Sequence, residues 1–165
     1  IYDLYTPLPP KGVTESWSQT TYHSVPTDQM GWRVYMSVKS DSLMHVWRML
    51  ENTFQTQTGV VAAKHTTPAA ARYRVDTIVI YLKGSAEKDV LISAVRKMFV
   101  PGKPVRGKPQ VPPRLRKDMF KGEVPPTTQP VSGLQGIAHA QQPLADGWAE
   151  DGKAVRALAD RLCLA

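Results

Sequence analysis

The stretch VVAAKHTTPAAARYRVDTIVIYLKG, residues 60–84, decides how this chain is read. Two apolar runs are separated by small and polar residues, and cations stand at their edges. Lys64 closes the first run; Arg72 and Arg74 precede the second, with Asp76 beside them. Runs this short, rich in Val, Ile, Thr and Tyr and bounded by Pro68 and Gly84, fit strands better than helices. The sequence predicts a short strand over 60–64 and a longer one over 73–82. Alternation places His65 on the face opposite Lys64.

Upstream, WRVYMSV at residues 32–38 alternates with period two. Trp32, Val34, Met36 and Val38 share one face, and Arg33, Tyr35 and Ser37 share the other, which describes a half-buried strand with a polar side. Leu43, Val46, Trp47, Leu50 and Phe54 recur at helical spacing, so residues 42–54 are a helix with Ser40, Asp41 or Ser42 as its cap. Downstream, Ser85 caps a second helix, expected over 85–99, with Val90, Leu91, Ala94, Val95 and Met98 as its apolar stripe.

The flanks are less regular. Residues 1–31 carry Pro7, Pro9, Pro10 and Pro26 among Thr, Ser and Gln, and read as an irregular arm with aromatic anchors at Tyr2, Tyr5 and Trp17. Seven prolines between residues 101 and 126 deny that segment ladder hydrogen bonds, and its basic residues repel one another. A long, partly mobile loop is expected there. Residues 127–148 continue as extended and turn structure, and a last helix is expected from Asp151, with Val155, Leu158, Ala159 and Leu162 on one face. The order of elements is α+β: a mostly antiparallel or mixed sheet with helices on one face, forming a single domain over 32–165 behind the 1–31 arm.

Composition narrows the function classes. Hydrophobic residues make up 42% and charged residues 21%, an ordinary globular balance. No apolar run is long enough to span a membrane. Cys163 is the single cysteine, which excludes an internal disulfide framework, fits a reducing compartment and suggests packing. The four histidines stand singly, without metal-ligand spacing, and no cofactor motif occurs. The chain opens on Ile1 rather than methionine, which suggests a trimmed fragment. The net charge of +7 is concentrated between Pro101 and Lys121, where Lys103, Arg106, Lys108, Arg114, Arg116, Lys117 and Lys121 face Asp118 alone. Such a segment attracts anions, but no aromatic residue interleaves it before Phe120, which disfavours nucleic acid.

Taken together, RVYMSV, the helix after it, RYRVDTIVIYL, FKGEVPPTTQPVSGLQGIA and the closing DGKAVRALADRLCLA resemble the HopA-type type III secreted effectors of plant-pathogenic bacteria, over residues 31–165. That family is in turn similar to the phosphothreonine lyases, and HopA-like domains are associated with lyase steps in lanthipeptide maturation. The resemblance implies a virulence or avirulence factor, linked to the hypersensitive response, secreted by a type III system into the host cell, with bacterial cytoplasm as the alternative. It also implies a phosphoprotein or phosphopeptide partner, a secretion chaperone acting through a region upstream, and no cofactor.

The lyase pattern assigns roles to residues of this chain. Lys64 matches the general base, and a lysine acts as one only where its proton affinity is lowered. Arg72 and Arg74 are both available to hold phosphate, with Arg33 as a further substrate-binding cation. Tyr35 occupies the position of the family's histidine acid, a departure that sets β-elimination against a non-catalytic interaction module whose basic proline-rich loop meets the partner. The expectation is that Lys64, Tyr35, Arg33 and Arg72 or Arg74 converge on the open sheet face around a cleft, against the plainer reading in which they are strand-end charges with Asp76 pairing one arginine.

Overall fold

The computed structural model describes residues 17–23, 31–57 and 59–141. The C-terminal helix expected from Asp151, with Cys163, and the anchors Tyr2 and Tyr5 lie outside the described residues. Among the described residues, six strands form one antiparallel sheet in the spatial order β1-β3-β4-β2-β6-β5. They are β1 (Trp17–Thr21), β2 (Trp32–Met36), β3 (Val60–Thr66), β4 (Ile78–Leu82), β5 (Gln129–Pro130) and β6 (Ile137–Gln141). Helices α1 (Leu43–Thr56), α2 (Pro68–Ala71) and α3 (Ser85–Met98) join them. The α+β class and the one-sided helix layer are as the sequence predicts. Among the described residues, no helix is long and apolar enough to cross a membrane.

The core follows from the two periodicities. Leu43, Val46, Trp47, Leu50 and Phe54 of α1 are buried, the full stripe read from their spacing. They pack with Leu91, Val95 and Met98 of α3 against Val34, Met36, Ile78, Ile80 and Leu82 of the sheet. Burying a side chain of this size is worth roughly 1.5–3 kcal/mol. Val90 departs from the expected stripe and stands 54% exposed. Gly84, not Ser85, is the N-cap of α3, and Glu87 in the first turn complements the helix dipole.

β3 contains a bulge. Val60 pairs with Leu82 and Ala62 with Tyr81, leaving Val61 as an extra residue. Val60 belongs to the helix-side core, whereas Val61 and Ala62 both belong to a second cluster with Tyr35, Val79 and Tyr81. From Ala62 onward the alternation is therefore inverted relative to Val60. Ala63 joins the core, Lys64 turns to the open face, and His65 lies tilted against Trp47 of α1, ring centres 4.6 Å apart.

Three segments differ from the sequence expectation. Trp17–Thr21, within the arm read as irregular, is an edge strand paired along β3 from Trp17↔Thr66 to Thr21↔Ala62. Its ladder, rather than burial, holds it, and Tyr22 and His23 extend the docking by donating to the Val61 carbonyl at 2.8 and 3.0 Å. The strand expected over 73–82 begins only at Ile78, because Pro68 starts α2 with Thr67 accepting from the Ala70 N–H, and the chain turns again before Thr77.

The basic segment divides at Leu115. Before it the chain is exposed; from it onward Leu115, Met119 and Phe120 are buried. Val38 and Phe120 form a bridge, flanked by bonds from the Lys39 N–H to the Met119 carbonyl and from the Lys121 N–H to the Ser37 carbonyl. Gly136 makes this fit possible: its φ of +75° and a Lys121 oxygen only 2.5 Å from where a Cβ would stand both require glycine.

Thr77 joins β4 to the end of β2. Its hydroxyl donates to the Met36 carbonyl at 2.9 Å and accepts from the Val38 N–H at 2.8 Å, with the residue fully buried. Thr77→Val keeps the shape but removes both bonds, and is expected to lower stability in urea unfolding by about 1–3 kcal/mol, with Thr77→Ser closer to wild type. An unchanged midpoint for Thr77→Val would show that the hydroxyl does not hold this junction.

Candidate functional site

The face of the sheet away from the helices gathers the charged residues of the strands. Register places Tyr35, Val79, Lys64 and Gln19 in one row across β2, β4, β3 and β1. The next row holds Arg33, Tyr81, Ala62 and Thr21. Tyr35 and Lys64 are two strand spacings apart, roughly 10 Å, with Val79 as the floor between them.

Cations and aromatic rings alternate over this surface. The Arg33 guanidinium lies 4.8 Å from the Tyr81 ring centre, and the Lys64 ammonium 5.8 Å from the same ring. Lys64 is closer to Trp17, at 4.4 Å, and Arg74 approaches that indole at 5.0 Å. Each contact of this kind is worth about 0.5–2 kcal/mol according to its exposure. The Trp17 indole thus takes the place where a cleft between Lys64 and Arg74 is expected from sequence. Two surface hollows, of about 160 and 520 Å³, lie on the helix side instead; the larger is bordered by Thr53, Lys97 and Arg114.

Arg74 is the buried arginine of the expected pair, 5% exposed, and its Nε and Nη2 donate to the two carboxylate oxygens of Asp76, both at 2.9 Å. The plainer expectation of an Asp76–arginine pair therefore coexists with the convergence of cations. Arg72 caps the end of α2 and is exposed, apart from the row that holds Lys64. Arg33, Lys64, Arg74 and Tyr35 come together; Arg72 does not join them. Among the described residues, Asp76 supplies the carboxylate that Arg74 engages.

Two supports are not visible in the sequence. The Lys121 ammonium donates to the Ala71 carbonyl and, at 2.8 Å, to the Arg74 carbonyl, fixing the backbone that presents the Arg74 guanidinium. Burial pushes its proton affinity below the ordinary lysine value, with Glu123 partly opposing. Trp17 is the second support, read from sequence only as an anchor of the arm. Among the described residues, the Ser37 and Thr66 hydroxyls are buried without hydrogen-bond partners.

Tyr35 is a buried phenol. Burial raises its pKa above 10.0, and the adjacent Arg33 charge and hydrogen bond pull the other way. At neutral pH it is a proton donor and not a base. Among the described residues no cluster of His, Cys, Asp and Glu could hold a metal ion.

The fold is one seen in bacterial effectors. The chain is similar to an effector protein from Pseudomonas syringae pv. tomato strain DC3000, with a TM-score of 0.57 at 21% identity over 75% of this chain and 42% of that one. It is similar also to an effector protein from Pseudomonas syringae pv. syringae strain 61, with a TM-score of 0.58 at 17% identity over 78% and 45% of the two chains. At these identities the likeness is one of fold, in keeping with the effector-family resemblance of the sequence. The chain spans less than half the length of either effector. No family model and no curated protein matches it.

Two measurements test the supports of the site. Lys121→Met is expected to lower stability by about 2 kcal/mol and to speed amide exchange over residues 72–77, because two carbonyls lose their donor; unchanged exchange would remove Lys121 from this role. The raised Tyr35 pKa means that folding favours the neutral phenol. Its contribution is fully present below pH about 10 and is lost as pH rises through the folded pKa. Tyr35→Phe should flatten the alkaline decline of stability, and an identical decline in both proteins would contradict this.

Proposed function

We propose that this chain is a bacterial effector domain whose open sheet face binds a phosphorylated segment of a protein. The observation that carries the reading is the gathering of Arg33, Lys64 and Arg74 around Trp17 and Tyr81 on one face. A phosphate dianion is matched by cations held in place before it arrives, and a guanidinium presents it with paired donors. The aromatic rings supply a surface for the side chains beside the phosphate. The fold shared with Pseudomonas syringae effectors supports an effector role, with delivery by a type III system into a host cell as the corresponding route.

The chemistry that fits these residue types is β-elimination from phosphothreonine or phosphoserine. Lys64 takes the α-proton; the β-carbon–oxygen bond breaks; phosphate leaves with a proton donated by the Tyr35 phenol; and a dehydrated residue remains. Arg33 and Arg74 hold the phosphate during the step. A second reading, binding without chemistry, draws support from two observations. Arg74 is already engaged by Asp76, and the neutral phenol of Tyr35 stands where the resemblance places a histidine.

Mass spectrometry of phosphothreonine peptides incubated with the protein separates these outcomes. Loss of phosphoric acid that leaves a dehydrated residue is the expected result, abolished by Lys64→Ala with the fold intact. Arg74→Ala should weaken phosphopeptide binding by about tenfold, equivalent to 1.4 kcal/mol. Binding without mass loss supports the non-catalytic reading. No affinity for phosphopeptides at low salt, where charge attraction is least screened, would overturn both.

A further inference from the structure

The exposed part of the basic segment has a shape of its own. Leaving α3, the chain returns on itself: the Gly102 N–H donates to the Val111 carbonyl at 2.8 Å, and the Lys108 N–H donates to the Val105 carbonyl at 2.9 Å. Gly107, the third residue of that turn, has φ +79°, as a type II turn demands. Val111 lies so close to Gly102 that a Cβ there would stand 2.8 Å from it. At the far end, the Leu115 N–H bonds to the Met98 carbonyl at 2.9 Å and anchors the segment to the end of α3. The excursion is therefore tied at both ends.

What it displays is a proline ladder. Residues 109–114 read PQVPPR: Pro109, Pro112 and Pro113 fix φ near −65° and carry no N–H, and each proline holds the residue before it extended. In a left-handed polyproline helix of three residues per turn, Pro109 and Pro112 fall on one edge. Arg114 follows two residues later. Pro109, Pro112 and Arg114 are exposed, and Val111 beside them is 58% exposed. Arg114 makes no ion pair among the described residues, whereas Arg116 bonds to Asp118 at 3.2 Å.

We propose that residues 109–114 form a docking peptide for a polyproline-binding domain of the SH3 type. An aromatic-lined groove would take the Pro109 and Pro112 edge, and an acidic pocket at one end would take Arg114 and so set the direction of binding. The segment suits such a partner because its extension is built in and its ends are fixed, which reduces the ordering entropy lost on binding. The flanking Arg106 and Lys108 complement an acidic rim and speed encounter. The same spacing occurs at Pro101, Pro104 and Arg106, but there the arginine is enclosed in the hydrogen-bonded 105–108 turn, whereas Arg114 stands at an open bend. A nucleic-acid partner lacks support, because residues 101–119 carry no aromatic side chain on which bases could stack. This surface is separate from the cation face: Arg114 borders the hollow on the helix side.

The test probes the full chain against a panel of isolated SH3 domains by fluorescence anisotropy. At least one domain should bind saturably. Pro109→Ala with Pro112→Ala, and separately Arg114→Glu, should each weaken that binding by about tenfold or more. Lys103→Glu makes the same charge change outside the motif and should leave affinity nearly unchanged. Thermal unfolding should be the same for all variants, since the altered side chains are exposed. Binding to no domain, equal loss from Lys103→Glu and Arg114→Glu, or full affinity in the double proline variant would each overturn the proposal. The last two results would identify the segment as a plain polycation.

Discussion

One extra residue in β3, Val61, sets the side on which everything after it falls. In a strand with strict period two, a residue facing the helices at position 60 would carry residues 62 and 64 with it. The bulge breaks that phase, so the chain enters β3 with Val60 in the core and leaves it with Lys64 on the opposite face. Register is strongly specified where a face is buried, because a one-residue slip exchanges the two sets of side chains. Here the slip would bury an ammonium among Ile80 and Leu50 and expose Ala63. The position of Lys64 beside Trp17 and Tyr81 is thus a consequence of core packing on the other side of the sheet. The cation face needs no separate folding signal.

The physics of that face is a contest between attraction to a ligand and attraction within the protein. Three cations on one surface repel, and the fold meets this with aromatic faces and the Asp76 carboxylate. An anion arriving at Arg74 competes with Asp76 for the same guanidinium donors. An anion held by Lys64 competes with contacts to the Trp17 and Tyr81 rings, which are weaker than ionic hydrogen bonds. Positively charged surfaces of this kind recognise anions through pre-set geometry.

Much of the fold is legible in the sequence wherever a single period dominates. The α1 stripe is complete in Leu43, Val46, Trp47, Leu50 and Phe54, and WRVYMSV assigns its two faces because large apolar and polar residues alternate. Three features escape for distinct reasons. VVAA fits either face equally well, so the bulge leaves no trace in composition. WSQTT is an edge strand held by backbone pairing, and its polar side chains resemble a loop. The proline count over 101–126 hides the change at Leu115, where one buried Leu, Met and Phe outweigh the prolines around them. For the site, residue type and strand position are enough to gather Arg33, Tyr35 and Lys64. Choosing Arg74 over Arg72, and finding Trp17 and Lys121, depends on contacts between residues far apart in the chain.

The place of Trp17 on β1 has a consequence for how long the cation face persists. Among the described residues β1 is an outermost strand, bonded only to β3, and most of its residues are exposed. Outer strands open with smaller free energies than the body they lie against, so a protein samples states in which such a strand is detached and the core remains intact. When β1 detaches, Lys64 and Arg74 lose the ring they share. The lifetime of the assembled surface is then governed by one local opening reaction, and a bound segment that also touches β1 would lengthen it. Occupancy and strand closure become two views of the same equilibrium.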